Sequence, residues 1–74
     1  MMELRKIEPA KNMSRFYRLS VEPTLFGDVA LVREWGRVGA KRGQSKEEWH
    51  VTESDADEAL IKALKRRMAR GYSS

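Results

Sequence analysis

Residues 33–43 read Arg-Glu-Trp-Gly-Arg-Val-Gly-Ala-Lys-Arg-Gly and hold three of the chain's five glycines, one of its two tryptophans and four basic residues. With Lys46 the segment has five cations against one carboxylate, so its charge of +4 equals the net charge of the 74-residue chain. Glycines bounding a short polar loop are typical of a turn between two strands. The segment therefore predicts a β-hairpin that carries the excess positive charge.

Alternation and turn residues predict the strands around this hairpin. The predicted strands are residues 2–8, 15–22, 27–38 and 44–51, with a loop at Gly39–Gly43. Pro23 ends the second strand because it lacks a backbone donor, and the uneven spacing of Leu4 and Ile7 allows a bulge in the first. In the third strand neither alternating set is wholly apolar. Either its start is buried on both faces, or a bulge near Gly36 resets the pattern.

A single helix is predicted over about residues 54–70, where apolar residues recur at helical spacing. Ser54 followed by Asp57 has the spacing of a capping box, and Gly71 is a natural stop. The expected buried stripe consists of Leu60, Ile61, Leu64 and Met68, with Ala56 and Ala63 at its margin. The predicted fold class is α+β: a small, mainly antiparallel four-stranded sheet with one C-terminal helix packed on one face.

Four apolar side chains outside the helix need a separate prediction of their burial. Leu25 and Phe26 follow Pro23 in a loop, and we expect them to tuck under the core. Trp49 shares a strand face with Val51 just before the helix, so it is expected to be the more buried tryptophan. Trp35 remains open between a core aromatic and an exposed stacking surface.

Length and composition restrict the class of protein. A chain of 74 residues predicts one domain over residues 1–74 with a thin core. The absence of cysteine excludes disulfides and thiolate metal sites and favours a reducing cytoplasm. The start of the chain has no basic, apolar leader pattern, and the apolar run Val29–Val32 is too short to span a membrane.

The sequence offers little for catalysis, cofactors or metals. His50 is the only histidine, so a catalytic group would need partners that the sequence does not indicate. The glycines at 36, 39 and 43 are not a P-loop, because no Gly-Lys-Ser/Thr follows and no helix begins there. We therefore predict a non-enzyme with no catalytic residue, no cofactor, no metal site and no small-molecule substrate.

The ordered set Trp35-Gly36-Arg37-Val38-Gly39 resembles the signature of the WGR domain family. Further landmarks follow in family order: Phe16–Leu19, Leu25–Gly27, Leu31–Glu34 and Arg70–Tyr72. The family occurs in poly(ADP-ribose) polymerases that sense DNA breaks, in proteins similar to a molybdate regulator and in short stand-alone bacterial proteins. The resemblance implies that Trp35 and Arg37 contact DNA or a neighbouring domain.

Positive charge beside an aromatic is also what a nucleic-acid strand or end requires. The candidate nucleic-acid-binding residues are Arg33, Trp35, Gly36, Arg37, Lys41, Arg42 and Lys46. The expected partner is nucleic acid, DNA more than RNA, in the form of duplex DNA or DNA ends bound with little sequence specificity. The alternative is a protein docking or self-association surface formed by the same residues, since Trp and Arg are frequent at protein interfaces. A second basic run, Lys62–Arg70, is explained first as a solvated helix face, with a secondary phosphate-binding face as the alternative.

Overall fold

The computed structural model describes residues 1–40 and 43–73, which form a four-stranded antiparallel sheet and one helix. The elements are β1 (Met2–Glu8), a 3-10 turn (Pro9–Lys11), β2 (Met13–Pro23), β3 (Val29–Arg37), β4 (Gln44–His50) and α1 (Glu53–Ala69). The strands lie side by side in chain order. The predicted α+β fold class is confirmed, and each predicted boundary lies within two residues of the observed one.

The strand pairing is continuous and resolves the ambiguity of the third strand. β3 pairs with β2 residue by residue from Val29 to Arg37, so no bulge interrupts it near Gly36. Ala30, Leu31 and Val32 are all buried, although they point alternately to opposite faces. The start of β3 is therefore buried on both faces. The bulge allowed in β1 is absent as well, because β1 pairs with β2 without interruption.

The core lies between the helix and one face of the sheet, here called the helix-side face. Its buried members are Leu4, Tyr17, Leu19, Leu31, Ala63 and Tyr72. The predicted helix stripe was partly wrong, because Ile61 is 48% exposed and Met68 is 53% exposed. Ala56 and Ala63 are the buried helix residues. Alanine has almost no side chain, so these positions allow the helix backbone to lie close to the sheet.

Both ends of the helix are closed by hydrogen bonds. Thr52, not Ser54, is the N-cap: its hydroxyl accepts the Asp55 N–H at 3.2 Å. At the other end the Tyr72 N–H bonds the Arg67 carbonyl and the Gly71 N–H bonds the Met68 carbonyl. Together with the positive φ of Gly71 (98°), these bonds define a Schellman motif, which confirms the predicted stop.

The Schellman motif turns the chain back onto the sheet. Tyr72 enters the core, and Ser73 exchanges two backbone hydrogen bonds with Arg5 on the outer edge of β1. In the part of the chain that the structure describes, no helix is long and apolar enough to cross a membrane.

The expected burial of the other apolar side chains was wrong. Leu25 is 100% exposed and Phe26 79% exposed, so neither tucks under the core. Trp49 is 49% exposed, whereas Trp35 packs against the core, which reverses the predicted order. The cause is strand register: Trp49 lies opposite Ala30, on the helix-free face, while Trp35 lies opposite Tyr17 on the helix-side face.

Candidate nucleic-acid interface

The sheet brings four of the predicted site residues together. Arg33, Trp35 and Arg37 alternate along β3, so they share the helix-side face. Lys46 of β4 lies directly opposite Arg33 and joins them. These are the predicted residues that the fold places on one surface, while Lys41 and Arg42 lie outside the described residues.

Trp35 is a half-buried residue at the border of the core. Its ring centroid is 6.3 Å from that of Tyr17, with the two planes tilted by 35°. Tyr17 in turn packs edge-on against Tyr72, with the centroids 6.2 Å apart. Trp35 therefore supports the fold with one part of its surface and leaves another part accessible. Its packing on the core is thus shown, while stacking on a ligand stays a prediction.

Gly36 allows close packing within the chain itself. It faces the helix-free side, where a Cβ at this position would lie 3.3 Å from the Phe16 ring and 3.1 Å from the Gly43 Cα. Gly43 is tighter, since a Cβ there would lie 2.6 Å from the Trp35 carbonyl oxygen. The space beside Gly36 on this face is therefore occupied by Phe16. Gly36 and Gly43 allow the hairpin and this ring to pack closely.

Strand pairing adds two cations that the sequence interpretation missed, Lys6 and Arg15, to this surface. Arg15 of β2 lies opposite both Lys6 of β1 and Arg37 of β3. These three residues, here called the basic row, cross three strands on the helix-side face. Arg15 has the same parity as Tyr17 in the sequence, which is a usable signal. Its position beside Arg37 required the register, because the two residues are far apart along the chain.

The basic residues on the two faces differ in whether they are neutralised. On the helix-free face Arg18 lies 3.7 Å from Glu3 and 4.0 Å from Glu34, and Arg5 lies 3.4 Å from Glu3. On the helix-side face Lys6 contacts Glu8 at 3.6 Å. The remaining cations of that face form no ion pair with another residue in 1–40 or 43–73: Arg15, Arg33, Arg37 and Lys46.

One carboxylate and one imidazole, those of Glu48 and His50, border the site on β4. His50 Nε2 lies 2.8 Å from Glu48 Oε2. This hydrogen bond is the main cause that lowers the pKa of Glu48 below its ordinary value; burial opposes the shift, and the charges of His50, Arg33 and Lys46 add to it. Among the described residues no group of three or more His, Asp or Glu side chains is placed to hold a metal ion.

The residues of the second basic run, Lys62–Arg70, have different surroundings: one packs on core aromatic rings and two line a surface cleft. The Arg67 guanidinium lies 4.2 Å from the centroid of the Tyr17 ring and 5.6 Å from that of Tyr72, so it stabilises the aromatic cluster. Lys62 and Arg66 line a cleft of about 380 Å³ between α1 and β4, which Arg33 also borders. Arg67 is therefore accounted for by its contacts with the core aromatics, whereas Lys62 and Arg66 border a surface cleft.

The fold and this site define a small α+β domain with an aromatic residue set among cations that form no ion pair within the described residues. A family model for the WGR domain matches residues 1–74, and the chain belongs to that family. It is 41% identical over 69 residues to an uncharacterised protein, y4dW, of Sinorhizobium fredii (strain NBRC 101917 / NGR234). The match covers 93% of this chain but 33% of that protein, so the chain spans about a third of its relative's length. No solved structure matches the chain at a significant level.

Proposed function

We propose that this chain is a non-catalytic nucleic-acid-binding module that binds duplex DNA or DNA ends with little sequence specificity. The observation that carries the proposal is the set of cations beside Trp35 on the helix-side face that form no ion pair with any residue in 1–40 or 43–73. Phosphate contacts are the main source of sequence-independent affinity for DNA. Membership of the WGR family supports the same class of ligand.

The basic row gives a physical reason for an anionic ligand. Like charges directly opposite each other in an antiparallel sheet are destabilising. Arg15 nevertheless lies opposite both Lys6 and Arg37, and Arg33 lies opposite Lys46. A phosphate placed between such side chains relieves their repulsion and accepts hydrogen bonds from the guanidinium groups. Sequences keep locally unfavourable arrangements mainly where function requires them.

Trp35 and the hairpin tip complete the proposed surface. The accessible part of the Trp35 ring stacks on a sugar or base at a duplex end, while its other side stays on Tyr17. In the sequence Lys41 and Arg42 follow the turn in which the Ala40 N–H bonds the Arg37 carbonyl at 3.1 Å. We propose that these two residues extend the phosphate contacts beyond Arg37.

The experiment is amide and indole NMR shift mapping of the whole chain with a short blunt duplex DNA at low and moderate salt. We expect shifts at Trp35, Arg37, Arg15 and Lys46 that weaken steeply with salt, because binding to phosphates releases counterions. Duplex RNA of the same sequence tests the preference for DNA. Shifts confined to the helix-free face, or an absence of shifts at low salt, would contradict the proposal.

The salt response distinguishes nucleic-acid binding from the alternative, a protein interface at the same Trp35–Arg37 surface. A protein interface centred on Trp35 would change little over a salt range in which phosphate binding weakens by orders of magnitude. Binding to a protein with no salt dependence, together with no binding to DNA, would favour that alternative.

A further inference from the structure

The helix-free face has an exposed cluster that the proposed nucleic-acid site does not use. Phe26 and Trp49 have ring centroids 6.1 Å apart with planes tilted by 33°, and Leu25 stands fully exposed beside them. These three residues are here called the apolar patch. Trp49 pairs with Ala30, so the patch lies on the face opposite to Trp35. Contiguous exposed apolar surface of this kind marks interaction sites in native proteins.

The loop that carries the patch is held in shape. The Thr24 N–H bonds the Asp28 carbonyl at 2.9 Å, and the Phe26 N–H bonds the Thr24 hydroxyl at 3.2 Å. Gly27 adopts a φ of 88°, which closes the turn without strain. Leu25 and Phe26 are therefore presented outward by an ordered turn. A surface ordered in advance loses less conformational entropy when it binds.

A cleft within the patch sets the size of the group that it takes. The cleft has a volume of about 240 Å³ and is lined by Pro23, Phe26, Ala30 and Trp49 among others. A dry cavity of about 150 Å³ is known to hold benzene, so this cleft has room for one large apolar side chain.

The rim of the cleft is acidic. Glu22 and Glu47 both line it, and Glu47 Oε2 accepts the indole N–H of Trp49 at 3.2 Å. Neither carboxylate forms an ion pair with a residue in the described ranges. An occupant that brings cations to this rim gains favourable electrostatics, whereas an anionic one is repelled.

This charge pattern disfavours two occupants. Nucleic acid is disfavoured because its phosphates would face Glu22 and Glu47. The same patch of a second copy is disfavoured because a two-fold contact places the acidic rims of both copies together. A protein segment with an apolar anchor and flanking cations satisfies both the cleft and its rim.

We propose that the apolar patch docks a segment of a partner protein in which a large apolar side chain is flanked by Lys or Arg. The side chain enters the cleft between Phe26 and Trp49, and the flanking cations pair with Glu22 and Glu47. Because the patch and Trp35 lie on opposite faces of the sheet, a partner bound at the patch leaves the helix-side face free for its own ligand. The inference does not depend on the identity of the ligand at the helix-side face.

The test uses the whole chain and two synthetic peptide libraries. Both libraries have Leu, Phe or Trp at the central positions; one has Lys or Arg on the flanks, and the other has Asp or Glu. We expect the chain to retain the basic library over the acidic one. The double variant Leu25→Ser/Phe26→Ser should lose at least about tenfold of this retention. Because both side chains are exposed, the variant should fold, which circular dichroism checks.

Charge reversal gives a second, independent measurement. Glu22→Lys/Glu47→Lys should exchange the preference, so that this variant retains the acidic library over the basic one. The NMR signal of the Trp49 indole, assigned with Trp49→Phe, should shift with the basic library. Neither Leu25→Ser/Phe26→Ser nor Glu22→Lys/Glu47→Lys should weaken binding to duplex DNA, because neither removes a contact with the DNA.

Three outcomes would overturn the proposal. The first is equal retention of the two libraries by the unchanged chain. The second is full retention of the basic library by Leu25→Ser/Phe26→Ser. The third is self-association in sedimentation that the same variant abolishes, which would assign the patch to a second copy.

Discussion

Arg15 and Arg37 lie directly opposite each other on β2 and β3, and neither forms an ion pair with a residue in the described ranges. Both are exposed. On the opposite face of the same strands, Arg18 is held between Glu3 and Glu34. Within the residues that the structure describes, the arginines of the helix-free face are thus paired with carboxylates, whereas Arg15 and Arg37 on the helix-side face are not.

Replacing Arg15 and Arg37 together with Gln should weaken DNA binding and lower the slope of log affinity against log salt. The slope should fall by about 1.8, since each phosphate contact contributes about 0.9. The free energy of unfolding should not fall, because the change removes a like-charge pair. Fluorescence anisotropy at several salt concentrations and thermal melts measure the two effects.

The matched control for this variant is Arg5→Gln/Arg18→Gln, which removes the same charge from the helix-free face. These arginines already contact Glu3 and Glu34, so the salt slope should change less. If the control flattened the slope as much as Arg15→Gln/Arg37→Gln, only the total charge would matter and the proposed site would be wrong.

The two tryptophans should respond differently to truncation. Trp35→Ala removes a stacking contact worth about 1–3 kcal/mol, so affinity for DNA should fall about 5- to 150-fold. It should also cost about 3 kcal/mol of stability, the lower end of the range for a buried aromatic, because Trp35 packs on Tyr17 but is only half-buried. Trp35→Phe, which keeps an apolar ring on Tyr17, should recover most of the stability.

Trp49→Ala is the control for Trp35→Ala. Trp49 lies on the helix-free face, so its loss should leave DNA affinity unchanged and cost about 1 kcal/mol or less. Melting curves and anisotropy titrations on all three variants separate the effects. A larger loss of DNA affinity in Trp49→Ala than in Trp35→Ala would show that the DNA site lies on the helix-free face, contrary to the proposal.

The helix cap can be tested with two neighbouring hydroxyl residues. Thr52→Ala removes the acceptor of the Asp55 N–H and should cost about 1 kcal/mol of stability. Ser54→Ala should change stability by less than about 0.5 kcal/mol, because Ser54 lies inside the first turn. Urea unfolding of the two variants compares them directly. The reverse order would restore Ser54 as the cap that the capping-box spacing predicted.

The contact between His50 and Glu48 predicts a pH effect. His50→Ala should raise the pKa of Glu48 towards its ordinary value, because the hydrogen bond is the main cause of the lowered pKa. A carboxyl whose folded pKa is lowered contributes stability above its unfolded pKa, about 4.3 for glutamate. That contribution is lost as the pH falls through the folded pKa. Titration of the Glu48 carboxyl carbon by NMR in both proteins checks the direction, and an unchanged pKa in the variant would contradict it.

The secondary structure could be predicted from local patterns in this chain. Alternation at Tyr17, Leu19 and Val21 identified a half-buried strand, and Pro23 and Gly71 ended their elements as expected. These signals are short-range because each depends on backbone geometry within a few residues. The clustering of Arg33, Trp35 and Arg37 on one face followed from the same two-residue period.

Which residues became neighbours, and which face of the sheet received the helix, were decided only by the tertiary structure. Arg15 joined Arg37 through the pairing of β2 with β3, and Trp49 became the exposed tryptophan because its register partner is Ala30. A strand's sequence alternates between two faces but does not state which one the helix will cover. By itself, therefore, the sequence determined the elements and the concentration of positive charge in the hairpin. Packing against α1 decided the burial of the two tryptophans, because a one-residue difference in parity moves a side chain to the other side of the sheet.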